Sequence, residues 1–287
     1  IVTAFALGGS LSFNPLEDSL ETQDGKKIKL SPPEIAPEVP EKGFVLAENV
    51  YVPPSENPDN VQVIIDPNIL QSLSKREIKP WNGNDFTQLS LLIKAKGKCT
   101  TDHISPAGSW LRLRGHIDNL SDNLLLGAVN AFNDEVGKAK NMFTNNLENC
   151  AKIAREYKKQ NINWVIVGDT NYGEGSSREH AAMTPRFLQC VVVIAKSFAR
   201  IHETNLKKQG VLALTFENVD DYEKINEDDK ISIIGLENFS PESSFDCELN
   251  HSDNTSEKIS LKHSYNLSQI EWFKAGSALN VLKNKIS

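Results

Sequence analysis

The chain's 287 residues, 39% of them hydrophobic, suffice for one large or two small domains with a buried core. A formal net charge of -7 and a pI near 5.5 leave no excess of Lys and Arg for phosphate contacts, which argues against a nucleic-acid or membrane-surface binder and for a soluble protein facing small molecules. Cys99, Cys150, Cys190 and Cys247 stand far apart without a CxxC pair, so neither a zinc site nor an iron–sulfur centre is expected from them, and free thiols of a reducing compartment are.

Ile1 to Leu7 is apolar but too short to span a bilayer, and with no basic segment before it a signal peptide is not expected. FNPLEDSLETQDGKKIKL has the turn chemistry of a surface hairpin with Asp24-Gly25 at its tip. The stretch from Pro32 to Asn60 is rich in Pro, Glu and Asn and reads as extended. These features place a remnant of a preceding domain at residues 1–45, a linker at 46–70 and a globular domain at 71–287.

Within that domain, LSLLIKAKG predicts a strand that delivers Cys99 to Ser105 into a loop, and SWLRLRG predicts an alternating strand reaching Arg114. A compact apolar run covers Asn123 to Asn133. Ala151, Ile153, Ala154 and Tyr157 have helical spacing within Glu148 to Gln160. Trp164 to Val167 and Val191 to Ile194 are buried-strand runs, Ser197 to Gln209 a helix, Val211 to Thr215 a strand, and IEWFKAGSALNVLK a C-terminal helix. Strands alternating with helices imply an α/β fold with a partly parallel sheet, whose ligands bind beyond the carboxyl ends of the strands. The GEGSSRE turn and the TTDHIS loop both follow strands and are expected to line one rim.

The stretch from Asn163 to Leu188 is a strand, a glycine turn and a helix start. Ser176 and Glu179 have the spacing of a capping box, which puts the helix N-terminus at Ser176 and an anion-holding set of N–H groups beside Arg178. Two uses fit that motif: plain capping with a surface ion pair, or glycines that admit a carboxylate or phosphate while a serine hydroxyl does chemistry. Phosphate is disfavoured, because GEGSSRE lacks both the Walker A lysine and the third glycine of a dinucleotide fingerprint. Asp102 and His103 read as a loop aspartate capping a turn and a histidine satisfied by backbone. His180, His202 and Glu203 read as structural.

NYGEGSSREHAA and the later KSFARIHETNLKKQG, together with KGKCTTDHISPAGSWLRLRGHIDNLSDNLLLGAVNAFN and QIEWFKAGSALN, stand in the same order as in the aconitase family. Over nearly its whole length the chain resembles the C-terminal swivel domain of mitochondrial-type aconitases, the iron–sulfur hydro-lyases that interconvert citrate and isocitrate. The resemblance implies an α/β fold of the swivelling β/β/α type shared with isopropylmalate isomerase small subunits, preceded by an extended linker. It also implies Ser176 as the catalytic base, and Arg114, Ser177 and Arg178 as ligands of substrate carboxylates. By the same resemblance the substrates are citrate, isocitrate and cis-aconitate, and the compartment is the mitochondrial matrix. The cofactor is a 4Fe-4S cluster held by N-terminal domains, with no metal ligand in this chain, because the family's cluster cysteines and acid histidine belong to those earlier domains. The chain alone is then expected to be inactive. Gln71 to Ile78 and Gly137 to Asn149 depart from the family, the latter in an expected surface connection. The alternatives are the small subunit of a two-part hydro-lyase, disfavoured by the long segment before residue 70, and a non-catalytic RNA-binding or structural derivative, disfavoured by the acidic balance and the intact GEGSSRE.

Overall fold

The computed structural model describes residues 2–34, 43, 53, 54, 56, 57, 66–68 and 78–286. Two compact units divide the chain, Ile1–Val63 and Ile64–Ser287. Most of the linker expected at 46–70, and the divergent stretch from Gln71 as far as residue 77, lie outside the described residues.

In the first unit, helix α1 (Val2–Gly8) precedes an antiparallel hairpin of β1 (Ser19–Glu21) and β2 (Lys27–Lys29). The hairpin turn follows the chemistry of Asp24-Gly25: Gly25 adopts φ +78°, and the Thr22 N–H closes on the Lys26 carbonyl at 2.9 Å.

The second unit begins with β3 (Phe86–Lys94), α2 (Thr101–Ile104), α3 (Ile117–Leu120), a hairpin of β4 (Lys138–Lys140) and β5 (Leu147–Asn149), and α4 (Cys150–Lys159). It continues through β6 (Trp164–Gly168), α5 (His180–Phe187), β7 (Cys190–Ala195), α6 (Arg200–Lys208) and β8 (Leu212–Phe216). Three antiparallel strands follow, β9 (Lys230–Ile234), β10 (Phe245–Asn250) and β11 (Ser256–Lys262), and then helices α7 (Leu267–Lys274) and α8 (Ala278–Ile286).

Seven of these strands close into a barrel in the order β10-β11-β8-β7-β6-β3-β9. The pairs β3–β6, β6–β7 and β7–β8 are parallel and the remaining seams antiparallel. Every residue of β6 and β7 is buried, which is why both read as unbroken apolar runs. In β10, by contrast, Phe245, Cys247 and Leu249 face the interior while their neighbours are more exposed. Trp164 is fully buried, and its indole N–H donates to the Leu188 carbonyl at 2.5 Å, so this large side chain enters the core with its polar atom satisfied.

Two expectations need correction, and the expected surface connection takes a defined form. Residues 110–114 form no strand: Gly108, at φ +61°, opens a 3-10 helix over Gly108–Leu113 none of whose residues is buried, so the alternation of WLRLR never meets a sheet. The single C-terminal helix is two, parted by Gly276 at φ +87°, where a Cβ would lie 2.5 Å from the Lys79 carbonyl oxygen. The departure from Gly137 to Asn149 is the β4–β5 hairpin, with Phe143 and Leu147 exposed.

Candidate active site

Because β3, β6 and β7 are adjacent and parallel, the loops that follow them leave from the same edge of the barrel. Backbone hydrogen bonds zip these loops together. The Tyr172 N–H donates to the Ser197 carbonyl (2.9 Å) and the Ala199 N–H to the Tyr172 carbonyl (3.0 Å); the Gly173 N–H donates to the Cys99 carbonyl (2.8 Å) and the Thr101 N–H to the Glu174 carbonyl (2.9 Å). The GEGSSRE turn and the TTDHIS loop therefore do line one rim.

Glycine is required at the start of this turn. Gly173 adopts φ +82° and Gly175 φ +110°, and a Cβ on Gly173 would stand 2.1 Å from His202 Cδ2. The chain that emerges presents Ser176 and Ser177 exposed to solvent. Arg178 is anchored across the rim: its Nη1 donates to Asp102 Oδ1 (2.7 Å), to the Ser105 carbonyl (2.6 Å) and to the Thr101 carbonyl (3.4 Å). Among the described residues only Nη1 of this guanidinium is engaged, although the side chain is just 11% exposed.

The expected capping box is not formed. Helix α5 starts at His180, with Glu179 at the cap position and no side-chain cap, so Ser176 lies four residues ahead of it. The Arg178 N–H turns back to the Ser176 carbonyl at 2.7 Å while its side chain reaches for the TTDHIS loop, and these contacts bend residues 176–178 where winding would have continued the helix. A helix dipole falls off within a turn, so α5, starting four residues further on, does not bring its N-terminus to the Ser176 hydroxyl.

Arg114 follows the 3-10 helix and is exposed, with Nε donating to the Leu111 carbonyl at 3.3 Å. Its own carbonyl oxygen lies 3.3 Å from His180 Nε2, which ties the Arg114 segment to the first residue of α5. A carbonyl oxygen can only accept, so His180 Nε2 carries the hydrogen in this contact; burial lowers the pKa of the ring. Thus His180 does bond, but to a distant segment and not locally. Asp102 does more than a loop aspartate capping a turn: it is the counter-ion of Arg178, whose hydrogen bond holds the Asp102 carboxyl below the usual range. Nothing in sequence spacing marks that pair, since the two residues are 76 positions apart. His103 Nδ1 lies 3.1 Å from the Lys98 carbonyl oxygen and 3.2 Å from the Thr100 nitrogen, a histidine satisfied by backbone. Glu203 pairs with Lys207 at 3.0 Å.

All four cysteines are buried free thiols. Burial pushes Cys99, Cys150 and Cys247 up to about 12 and Cys190 higher still, the opposite of the thiolate character that ligation needs. Among the described residues no group of three or more His, Cys, Asp or Glu is placed to hold a metal ion. These thiols do not fit an iron–sulfur cluster.

The fold is thus an α/β domain built on a closed mixed barrel, with a serine- and arginine-bearing turn at its parallel edge. Residues 89–219 match the family described as the aconitase C-terminal domain. The chain is 50% identical over 99% of its length to the probable mitochondrial aconitate hydratase of Dictyostelium discoideum, 52% to the mitochondrial aconitate hydratase of Gracilaria gracilis and 47% to that of Saccharomyces cerevisiae. It spans only 36 to 37% of the length of these relatives. Among solved structures, a 3-isopropylmalate dehydratase of Methanocaldococcus jannaschii is 23% identical, with a TM-score of 0.46 over 71% of this chain and 96% of that one.

Proposed function

We propose that the chain is the C-terminal part of an aconitate hydratase, which isomerises citrate to isocitrate through cis-aconitate in the mitochondrial matrix. Residues 1–45 are then the end of a preceding domain, 46–70 the linker and 71–287 the swivel domain. The relatives, each named a mitochondrial aconitate hydratase, support this reading. The observation that carries it is the state of Arg178: one nitrogen is pinned to the TTDHIS loop and, among the described residues, the Nε and Nη2 edge is uncommitted, on the same turn as two exposed serines. That edge suits bidentate binding of a carboxylate.

In this reading Arg178, Ser177 and Arg114 hold carboxylates of the substrate, and Ser176 Oγ takes the proton from the carbon beside one of them. The negative charge that develops spreads into the carboxylate under the guanidinium, which is fixed in advance by Asp102 and two carbonyls and need not reorganise. The family's 4Fe-4S cluster supplies Lewis-acid chemistry at the substrate hydroxyl when bound, and its ligands come from N-terminal domains outside this chain. Among the described residues no helix is long and apolar enough to cross a membrane. The test is Ser176→Ala in the whole enzyme. Turnover should fall about 10²- to 10⁴-fold, the range for a lost general base, with KM little changed. Activity within about twofold of the parent would refute the assignment.

A further inference from the structure

The three loops of the rim share one carboxylate. Asp169, the residue after β6, accepts the Gly97 N–H on Oδ2 (2.8 Å) and the Thr170 N–H on Oδ1 (2.8 Å), and its Oδ1 pairs with the ammonium of Lys196, the residue after β7, at 3.1 Å. Gly97 belongs to the loop after β3, so the partners come from all three connections. The circuit closes through Tyr222. Lys196 Nζ stands 4.0 Å from the centre of that ring, and the Tyr222 hydroxyl donates to the carbonyl of Ala95, the residue after β3, at 2.8 Å. Burial raises the Asp169 carboxyl, but the donors from Gly97, Lys196 and Thr170 outweigh it and keep the group below the usual carboxylate range.

Between Asp169 and Ser176 the chain closes one turn on itself, the Glu174 N–H donating to the Asn171 carbonyl at 3.2 Å, and its remaining anchors lie on its neighbours. Its amides donate to the flanking loops: Asn171 to Ser197 Oγ (2.8 Å), Tyr172 to the Ser197 carbonyl and Gly173 to the Cys99 carbonyl. The place of Ser176 is therefore inherited from the spacing of those loops, and Asp169 ties that spacing at the root. We infer that Asp169, paired with Lys196, is a positioning residue for the Ser176 hydroxyl. The inference rests on the role proposed above for Ser176.

The experiment compares two backgrounds of the whole enzyme. Asp169→Asn keeps the side-chain size but loses the charge. With Ser176 intact, kcat should fall about 10- to 100-fold, as for a reacting group displaced by about 1 Å. In a Ser176→Ala background the same change should cost less than about twofold, because a residue that acts through Ser176 has nothing left to position. Lys196→Gln should show the same pattern with a smaller fall, Lys196→Arg should restore turnover, and amide exchange at Gly97 and Thr170 should quicken in Asp169→Asn. An equal fall in both backgrounds, as general loss of folded protein gives, or no fall at all, overturns the inference. If Asp169→Asn does not fold, Lys196→Gln decides by the same comparison. If Ser176→Ala by itself leaves turnover intact, the role of Ser176 has failed and this inference with it, a result distinct from failure of Asp169 alone.

Discussion

Gly173 and His202 show how one pair of residues ties the interior to the rim. The His202 ring is 1% exposed, both its nitrogens are without a partner among the described residues, and the Gly173 backbone lies directly against it. Gly173→Ala combines a left-handed φ with overlap on a buried ring, and should lower stability by roughly 2–5 kcal/mol in denaturant melts. Burial alone pushes the His202 pKa down from 6.5 to about 4. Between those values the unfolded chain takes up a proton that the folded one refuses, so stability present above pH 6.5 is lost as pH falls towards 4, by roughly 3 kcal/mol. His202→Phe removes that titration, and urea melts at pH 7 and pH 4.5 should show a correspondingly shallower acid loss; parallel losses in parent and variant would assign the acid limb to other groups. At this scale the four candidate site residues were legible as residue types. The Asp102–Arg178 pair was not, because ion pairing across 76 positions leaves no local pattern.

At the scale of elements, legibility followed the source of each element's stability. Strands β6 and β7 are covered on both faces and announce themselves as apolar runs. Helix α4 buries one stripe, and Asn149 caps it by accepting the N–H groups of Ala151 and Lys152. Strands β9, β10 and β11 were not anticipated. Their alternation is short and interrupted by polar turns, and only the neighbours they pair with make them strands. WLRLR alternates just as well and forms none, for want of such neighbours. The pairings themselves differ in extent. β6 and β7 pair from Trp164–Cys190 to Gly168–Ala195, whereas β8 and β11 meet only at Phe216–Leu261 and Thr215–Lys262. Native-state hydrogen exchange should find the amides of residues 260–262 exchanging about tenfold or more faster than those of 165–168, since the short seam opens without global unfolding. Equal protection on both seams would contradict this.

At the scale of the whole second unit, closure of the barrel converts a sequence of loops into a site. Parallel register brings the carboxyl ends of β3, β6 and β7 to one edge, and there Asp169, Lys196 and the backbone bonds of the turn hold the loops in common register. The sequence by itself determined the α/β class, the strand that delivers GEGSSRE, the glycines that turn it and the aconitase likeness, because these depend on apolar periodicity, on turn chemistry and on unbroken strings of residues. Only the tertiary structure decided that α5 starts at His180 and not at Ser176, that Arg178 is held by Asp102, and that Asp169 ties three loops together. Those outcomes turn on which distant donors and acceptors meet once the barrel closes, and a hydrogen bond across the fold outweighs the weak local preference of four residues for one helix start over another.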